Sequence, residues 1–276
     1  DLSSAVNYYQ GRTQNKQTDH ISYNLFFKQI DSMLPKTINQ VFLKNDGVFN
    51  NVNIESLWNP NSNQFVFDYR NINYVERPSS IFKINTPVVI ENAFLFGNPN
   101  FYGTYQPLET SNNSEERAGL DLLPYTKEEV AAINEILLDS NINTIINDFD
   151  QSTEQSFYQN INSSLVHVAT HGFLIKGNYY DRFNYGVLAA GARNILRNDF
   201  QKEPRNDGVI FGGEIILKNM TKTELVVLSA CETGIGTTGV FGGENLATAF
   251  LRAGAKNIIS TLWPVDDKIT HEFMQK

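Results

Sequence analysis

Leu225-Val-Val-Leu-Ser-Ala230-Cys231-Glu-Thr-Gly234 is the stretch on which the reading of this chain turns. It begins as the most apolar strand pattern in the sequence and runs into a glycine-containing loop at Cys231. A second stretch, Leu165-Val-His-Val-Ala-Thr170-His171-Gly172, has the same build, with His171 as the expected last strand residue. In an open α/β sheet the chemistry gathers at the carboxyl ends of the strands. If these two strands are neighbours, an imidazole and a thiol open on one edge. The thiolate is the nucleophile, and an adjacent histidine lowers a thiol pKa of ~8.5 by several units. Gly172 and Gly234 leave room for a substrate carbonyl to approach the backbone. The amides of Gly172 and Cys231 are then candidates for an oxyanion site, where one donor is worth ~10²–10³ in rate.

The flanking sequence supplies the sheet. Ala93 to Phe96 reads as a buried strand ending at Gly97-Asn98-Pro99, followed by a long polar loop with its tip at Ser111 to Glu116. Thr126-Lys-Glu-Glu129 has the spacing of a capping box opening a helix to about Leu138, with Val130, Ile133 and Leu137 inward. Ile142 to Ile146 is a strand, and Ser152 to about Ile161 a helix with a second capping-box pair, Ser152 and Gln155. Glu244 to Ala253 is a helix ended by Gly254, Ile258 to Leu262 a strand, and Lys268 to Lys276 an amphipathic helix. Strands alternating with helices predict an α/β fold, a mostly parallel sheet with helices on both faces.

Residues 88–276 are assigned to that domain, and residues 1–87 to a smaller amino-terminal region. There, Tyr23 to Leu34 predicts one helix stopped by Pro35, and Val41 to Leu43 and Ile72 to Val75 are short strands. Residues 59–63 form a loop, and the polar residues 1–19 are expected to be poorly ordered. The chain starts at Asp1 without a signal-peptide pattern and stops at Lys276 inside a helical pattern, so it reads as an excerpt of a longer protein.

Composition excludes several classes. The 276 residues are 41% hydrophobic and 19% charged, an ordinary globular balance. No apolar run approaches the ~20 residues of a membrane-spanning helix. A net charge of −8 without a dense basic cluster disfavours nucleic acid as the direct partner. The single cysteine, Cys231, precludes an intramolecular disulfide, which fits a reducing, cytoplasmic setting. It also gives no zinc-ligand spacing, so neither metal nor cofactor is expected. A lone cysteine is often a small core residue. Its place at a strand end before Glu-Thr-Gly, with a matching His-Gly elsewhere, favours the nucleophile. His167 reads as a satisfied core or helix-facing histidine, and His20 and His271 as surface residues.

Val168-Ala-Thr-His171-Gly, Glu224 to Gly234, Gly243-Glu-Asn-Leu-Ala-Thr-Ala-Phe-Leu-Arg-Ala-Gly-Ala255 and Ser260-Thr-Leu-Trp263-Pro-Val-Asp-Asp267 together resemble the CHAT domain, a caspase-like cysteine peptidase family related to separase. Gln40-Val-Phe-Leu-Lys-Asn-Asp-Gly47 and Phe94-Leu-Phe-Gly-Asn-Pro99 are similar to the family's amino-terminal segments. The resemblance implies a caspase-like fold with a six-stranded sheet, its last strand expected beyond Lys276. It implies a dyad with His171 as the base or orienting group and Cys231 as the nucleophile. It further implies a protein substrate cleaved through an acyl-enzyme, and a tetratricopeptide-repeat or other sensor domain, in the same or a partner protein, that activates it in bacterial defence or signalling. By similarity to separase, Asp266 and Asp267 are S1 candidates for a basic P1 side chain; helix capping competes, more strongly at Asp266. The polar stretch Arg193 to Asp207 resembles the inter-subunit linker of caspases, or is a plain surface loop.

Two rivals stand beside the peptidase. Gly234-Ile-Gly236-Thr-Thr-Gly239 fits a dinucleotide-binding fingerprint, but its glycines run on to Gly243 instead of opening a helix, and the next strand ends at Leu262-Trp263-Pro264 without the expected acidic residue. A caspase-like scaffold that binds partners without catalysis would be signalled by loss of His171 or Cys231, and both are present.

Overall fold

The computed structural model describes residues 1–75, 81, 87–102, 123–174, 185–192, 207–230, 245–261 and 266–276. They divide into two compact units, one formed by the residues up to Pro87 together with Asn245, the other by the remaining described residues from Val88 on.

The first unit opens with helix α1 (Leu2–Gln14), where a poorly ordered start was expected. Asp1 caps it by accepting from Ser4 N at 2.8 Å, and Val6 and Tyr9, three apart, bury one face. The expected single helix over 23–34 is two, α2 (Ser22–Phe26) and α3 (Lys28–Met33), broken at Phe27, whose ring is buried. Strands β1 (Gln40–Leu43) and β4 (Asn71–Tyr74) pair in parallel. Between them β2 (Trp58–Asn59) and β3 (Gln64–Phe65) form a small hairpin around the expected loop. Phe26, Phe27, Ile54, Leu57 and Val66 make the core. Arg70 is buried in it and forms an ion pair of 2.9 Å with the partly buried Asp31. Arg70 also donates to Pro35 O (3.1 Å), and Tyr23 and Tyr69 donate to Asp31 Oδ2 at 2.8 and 3.0 Å, so both charges have further partners.

The second unit is an α/β layer structure. Its strands are β5 (Asn92–Pro99), β6 (Asn143–Phe149), β7 (Leu165–Ala169), β11 (Leu225–Ser229) and β12 (Asn257–Ser260). They form one parallel sheet in the order β12-β11-β7-β5-β6, five strands among the described residues. Strand alternation sorts its side chains. Phe94, Phe96, Val166, Val168, Val226 and Leu228 face one side, where α5 (Glu154–Asn160) and α7 (Leu246–Ala253) supply Phe157, Leu246, Ala249 and Phe250. Ala93, Leu95, Leu165, Ala169 and Val227 face the other, against Val130 and Ile133 of α4 (Pro124–Asp139) and Met274 of α8 (Asp267–Met274). Gly97 lets α4 close on the sheet edge: a Cβ there would stand 2.5 Å from Val130 Cγ2.

Both expected capping boxes give way to tertiary contacts. Helix α4 begins at Pro124, and Thr126 is a buried third-position residue that donates to Leu123 O (2.7 Å) and accepts from Asn98 N (3.1 Å). Helix α5 is capped by Thr153, and Ser152 is buried, donating to Gly97 O at 2.7 Å. The sequence reading also lacks a ribbon of β8 (Gly172–Leu174), β9 (Tyr185–Leu188) and β10 (Val209–Phe211), joined antiparallel in the order β10-β9-β8 and followed by the one-turn helix α6 (Gly212–Ile215).

Candidate active site

Strands β7 and β11 are parallel neighbours, in register from Leu225 opposite Leu165 to Ser229 opposite Ala169. β7 spans the expected Leu165 to Ala169, and because Thr170 then turns the chain out of the sheet, His171 lies two residues past the strand instead of at its last position. The Thr170 hydroxyl donates to Leu188 O at 2.8 Å. His171 is therefore the hinge between the parallel sheet and the ribbon, with its carbonyl accepting from Leu188 N at 2.9 Å. That bond makes His171 and Leu188 a hydrogen-bonded pair. Gly172 and Val187, the next pair in the register, are then a non-bonded one, and the Gly172 N–H points away from β9.

The His171 imidazole is half-buried and packs on the Phe101 ring, centroids 5.3 Å apart. Phe101 is buried with Ala192 and Val209, so one face of the imidazole rests on a fixed apolar support. Cys231 follows β11 by two residues, as His171 follows Ala169, and lies outside the described residues, as do Gly234 to Gly243 and 193–206. The end of β11 is tied by Thr261, whose hydroxyl donates to Ala230 O.

Beneath His171, on the α4 side of the sheet, His167 and Glu129 are both buried, with Nε2 and Oε1 2.7 Å apart. Glu129 Oε2 has no hydrogen-bond partner among the described residues. The helix-facing reading of His167 holds. Glu129 was missed as its partner, although its spacing from Thr126, Val130 and Ile133 places it on the buried stripe of α4.

The two aspartates before and at the start of α8 differ. Asp266 is the N-cap, exposed, with Oδ1 accepting from Ile269 N at 3.0 Å. Asp267 is half-buried, and its Oδ2 accepts from Tyr125 N at 3.1 Å. Burial raises its pKa, repulsion by Glu129 and Asp266 adds to the rise, and the Tyr125 N–H and His171 oppose it. Asp267 thus lies within electrostatic reach of His171. His20 is exposed as expected, whereas His271 is half-buried against Tyr125, ring centroids 5.9 Å apart, because α8 packs on α4.

Among the described residues no group of three or more His, Cys, Asp or Glu side chains could hold a metal ion, and no helix is long and apolar enough to cross a membrane. The family model of the CHAT domain matches residues 21–276. The chain belongs to the CHAT family of caspase-like peptidases, and its parallel sheet flanked by helices is consistent with the caspase-like fold. No curated protein sequence matches it significantly.

Proposed function

We propose that this domain is a cysteine endopeptidase that cleaves a protein substrate through His171 and Cys231. The observation that carries the reading is the register of β7 and β11, in which each of the two residues follows the last paired position by two. In the reaction, the Cys231 thiol gives its proton to the His171 imidazole. The thiolate attacks the scissile carbonyl carbon, and the carbonyl oxygen becomes an oxyanion. The N–H groups of Gly172 and Cys231 stabilise it, the first of them directed away from β9. Collapse of the tetrahedral intermediate breaks the C–N bond, and the imidazolium protonates the leaving amine. Water, deprotonated by His171, then releases the acyl group and restores the thiol.

With the Asp266 carboxylate occupied by the α8 cap, Asp267 is the stronger S1 candidate for a basic P1 side chain. A tetratricopeptide-repeat or other sensor domain is the proposed activator. The test is a positional peptide library on the full-length protein, with iodoacetamide labelling of Cys231. Turnover and labelling that both vanish in Cys231→Ala support the peptidase. Thiol labelling without turnover of any peptide favours a partner-binding scaffold.

A further inference from the structure

Strand β9, which fixes the backbone at His171, is itself fixed from below. Ala189 N donates to Gly208 O at 2.7 Å and Ala190 N to Ser152 O at 2.8 Å, while Leu188 holds His171 and Thr170. Gly208 sits at φ +83°, and a Cβ there would stand 2.3 Å from Ala192 N, so the turn requires glycine. Glu154, the first residue of α5, lies against this turn and is 3% exposed. The N–H groups of Asp207 and Gly208 donate to its carboxyl group. Its Oε2 is buried without a hydrogen-bond partner among the described residues. Asp207 and Glu214 also face it. Tyr158, one turn further along α5, donates to Glu214 Oε2 at 2.8 Å, with Lys218 Nζ over its ring at 3.8 Å from the centroid.

We propose that Glu154 is a positioning residue for His171, acting through the Asp207–Gly208 turn and β9. The inference rests on the reading of His171 as the base of the dyad. Burial, with repulsion by Glu214 and Asp207, raises the Glu154 pKa to about 8, so near neutrality it is a neutral acid beside two acidic neighbours. Ionisation places a further negative charge against Asp207 and Glu214 with no cation bonded to it among the described residues. Repulsion then drives the Asp207–Gly208 turn away from α5. The Gly208 carbonyl carries Ala189 with it, and β9 loses its hold on the His171 backbone.

The experiment uses the full chain with labelled histidine, His171→Gln assigning the His171 ring signal. The wild type is expected to show a step in that signal near pH 8, and E154Q to lack it. One unit above that pKa the ionised form outnumbers the neutral one about tenfold. Protection of the Leu188 and Ala189 amides against exchange, corrected for intrinsic rate, should accordingly fall about tenfold in the wild type at pH 9 and stay level in E154Q. E154A, which removes the acceptor, should give the loosened state at both pH 7 and pH 9. A step near pH 8 that persists in E154Q, or wild-type protection in E154A, would overturn the proposal. The ring signal and exchange need no substrate, so failure to cut any peptide would count against the peptidase reading alone.

Discussion

The His167 imidazole and the Glu129 carboxyl group meet inside the protein, Nε2 to Oε1 2.7 Å, directly below the segment that carries His171. They clamp α4 to β7 across the sheet face that also receives α8. Removing one member leaves the other buried and unpaired, a loss of ~3–5 kcal/mol. Glu129→Ala should lower the unfolding free energy read from urea denaturation by that amount, and Glu129→Gln, which still accepts a hydrogen bond, by less. Equal, small losses in both would show that the clamp contributes little.

His171→Ala and Cys231→Ala are each expected to reduce peptide hydrolysis by at least ~10²-fold, the lower range for general acid–base catalysis. His171→Ala should leave the fold intact, because the ring lies half-buried beyond the end of β7. Turnover and circular dichroism on the same preparations decide it; near-wild-type rates in either variant sink the dyad.

Gly97→Ala places a methyl group 2.5 Å from Val130 Cγ2 and 3.2 Å from Thr126 O. Overpacking of that kind costs ~1–3 kcal/mol. The strain falls on the contact between β5 and α4, so thermal unfolding should begin at lower temperature, and Gly97→Ala combined with Val130→Ala should recover part of the loss.

Asp266→Ala removes a helix cap and should cost ~1 kcal/mol, read by chemical denaturation, whatever the substrate. Asp267→Asn keeps an oxygen for Tyr125 N but loses the charge. If Asp267 lines S1, it selectively weakens cleavage after Arg or Lys, and uniform loss on all peptides would instead indicate structural damage.

Glu154 also sets a slope in stability against pH. Its pKa is raised from an ordinary 4.5 to about 8, so the folded state holds a proton that the unfolded state releases. Its stabilisation is complete below about 4.5, is lost progressively as pH rises to about 8, and is constant above. The wild-type stability minus that of E154Q should therefore decline across that window. A flat difference would mean that Glu154 ionises in the fold as it does in water.

Much of this was legible in the residues themselves. The parallel strands over 93–96, 165–169 and 225–229 and the helices facing them follow from apolar period and length, because burial on two sheet faces demands continuous apolar runs. The family followed from long blocks around His171 and Cys231. What the sequence could not decide was contact between distant segments. Period and capping spacing describe an isolated helix, and they assigned Glu129 and Ser152 to helix ends; tertiary packing turned them to His167 and Gly97 O instead. The three short strands of the ribbon carry no period long enough to read, since each is stabilised by cross-strand bonds to a partner far along the chain. Which strand lies beside which is likewise set by long-range pairing. The neighbourhood of β7 and β11, on which the proposed chemistry of His171 and Cys231 depends, was therefore a condition in the sequence and became a fact only in the fold.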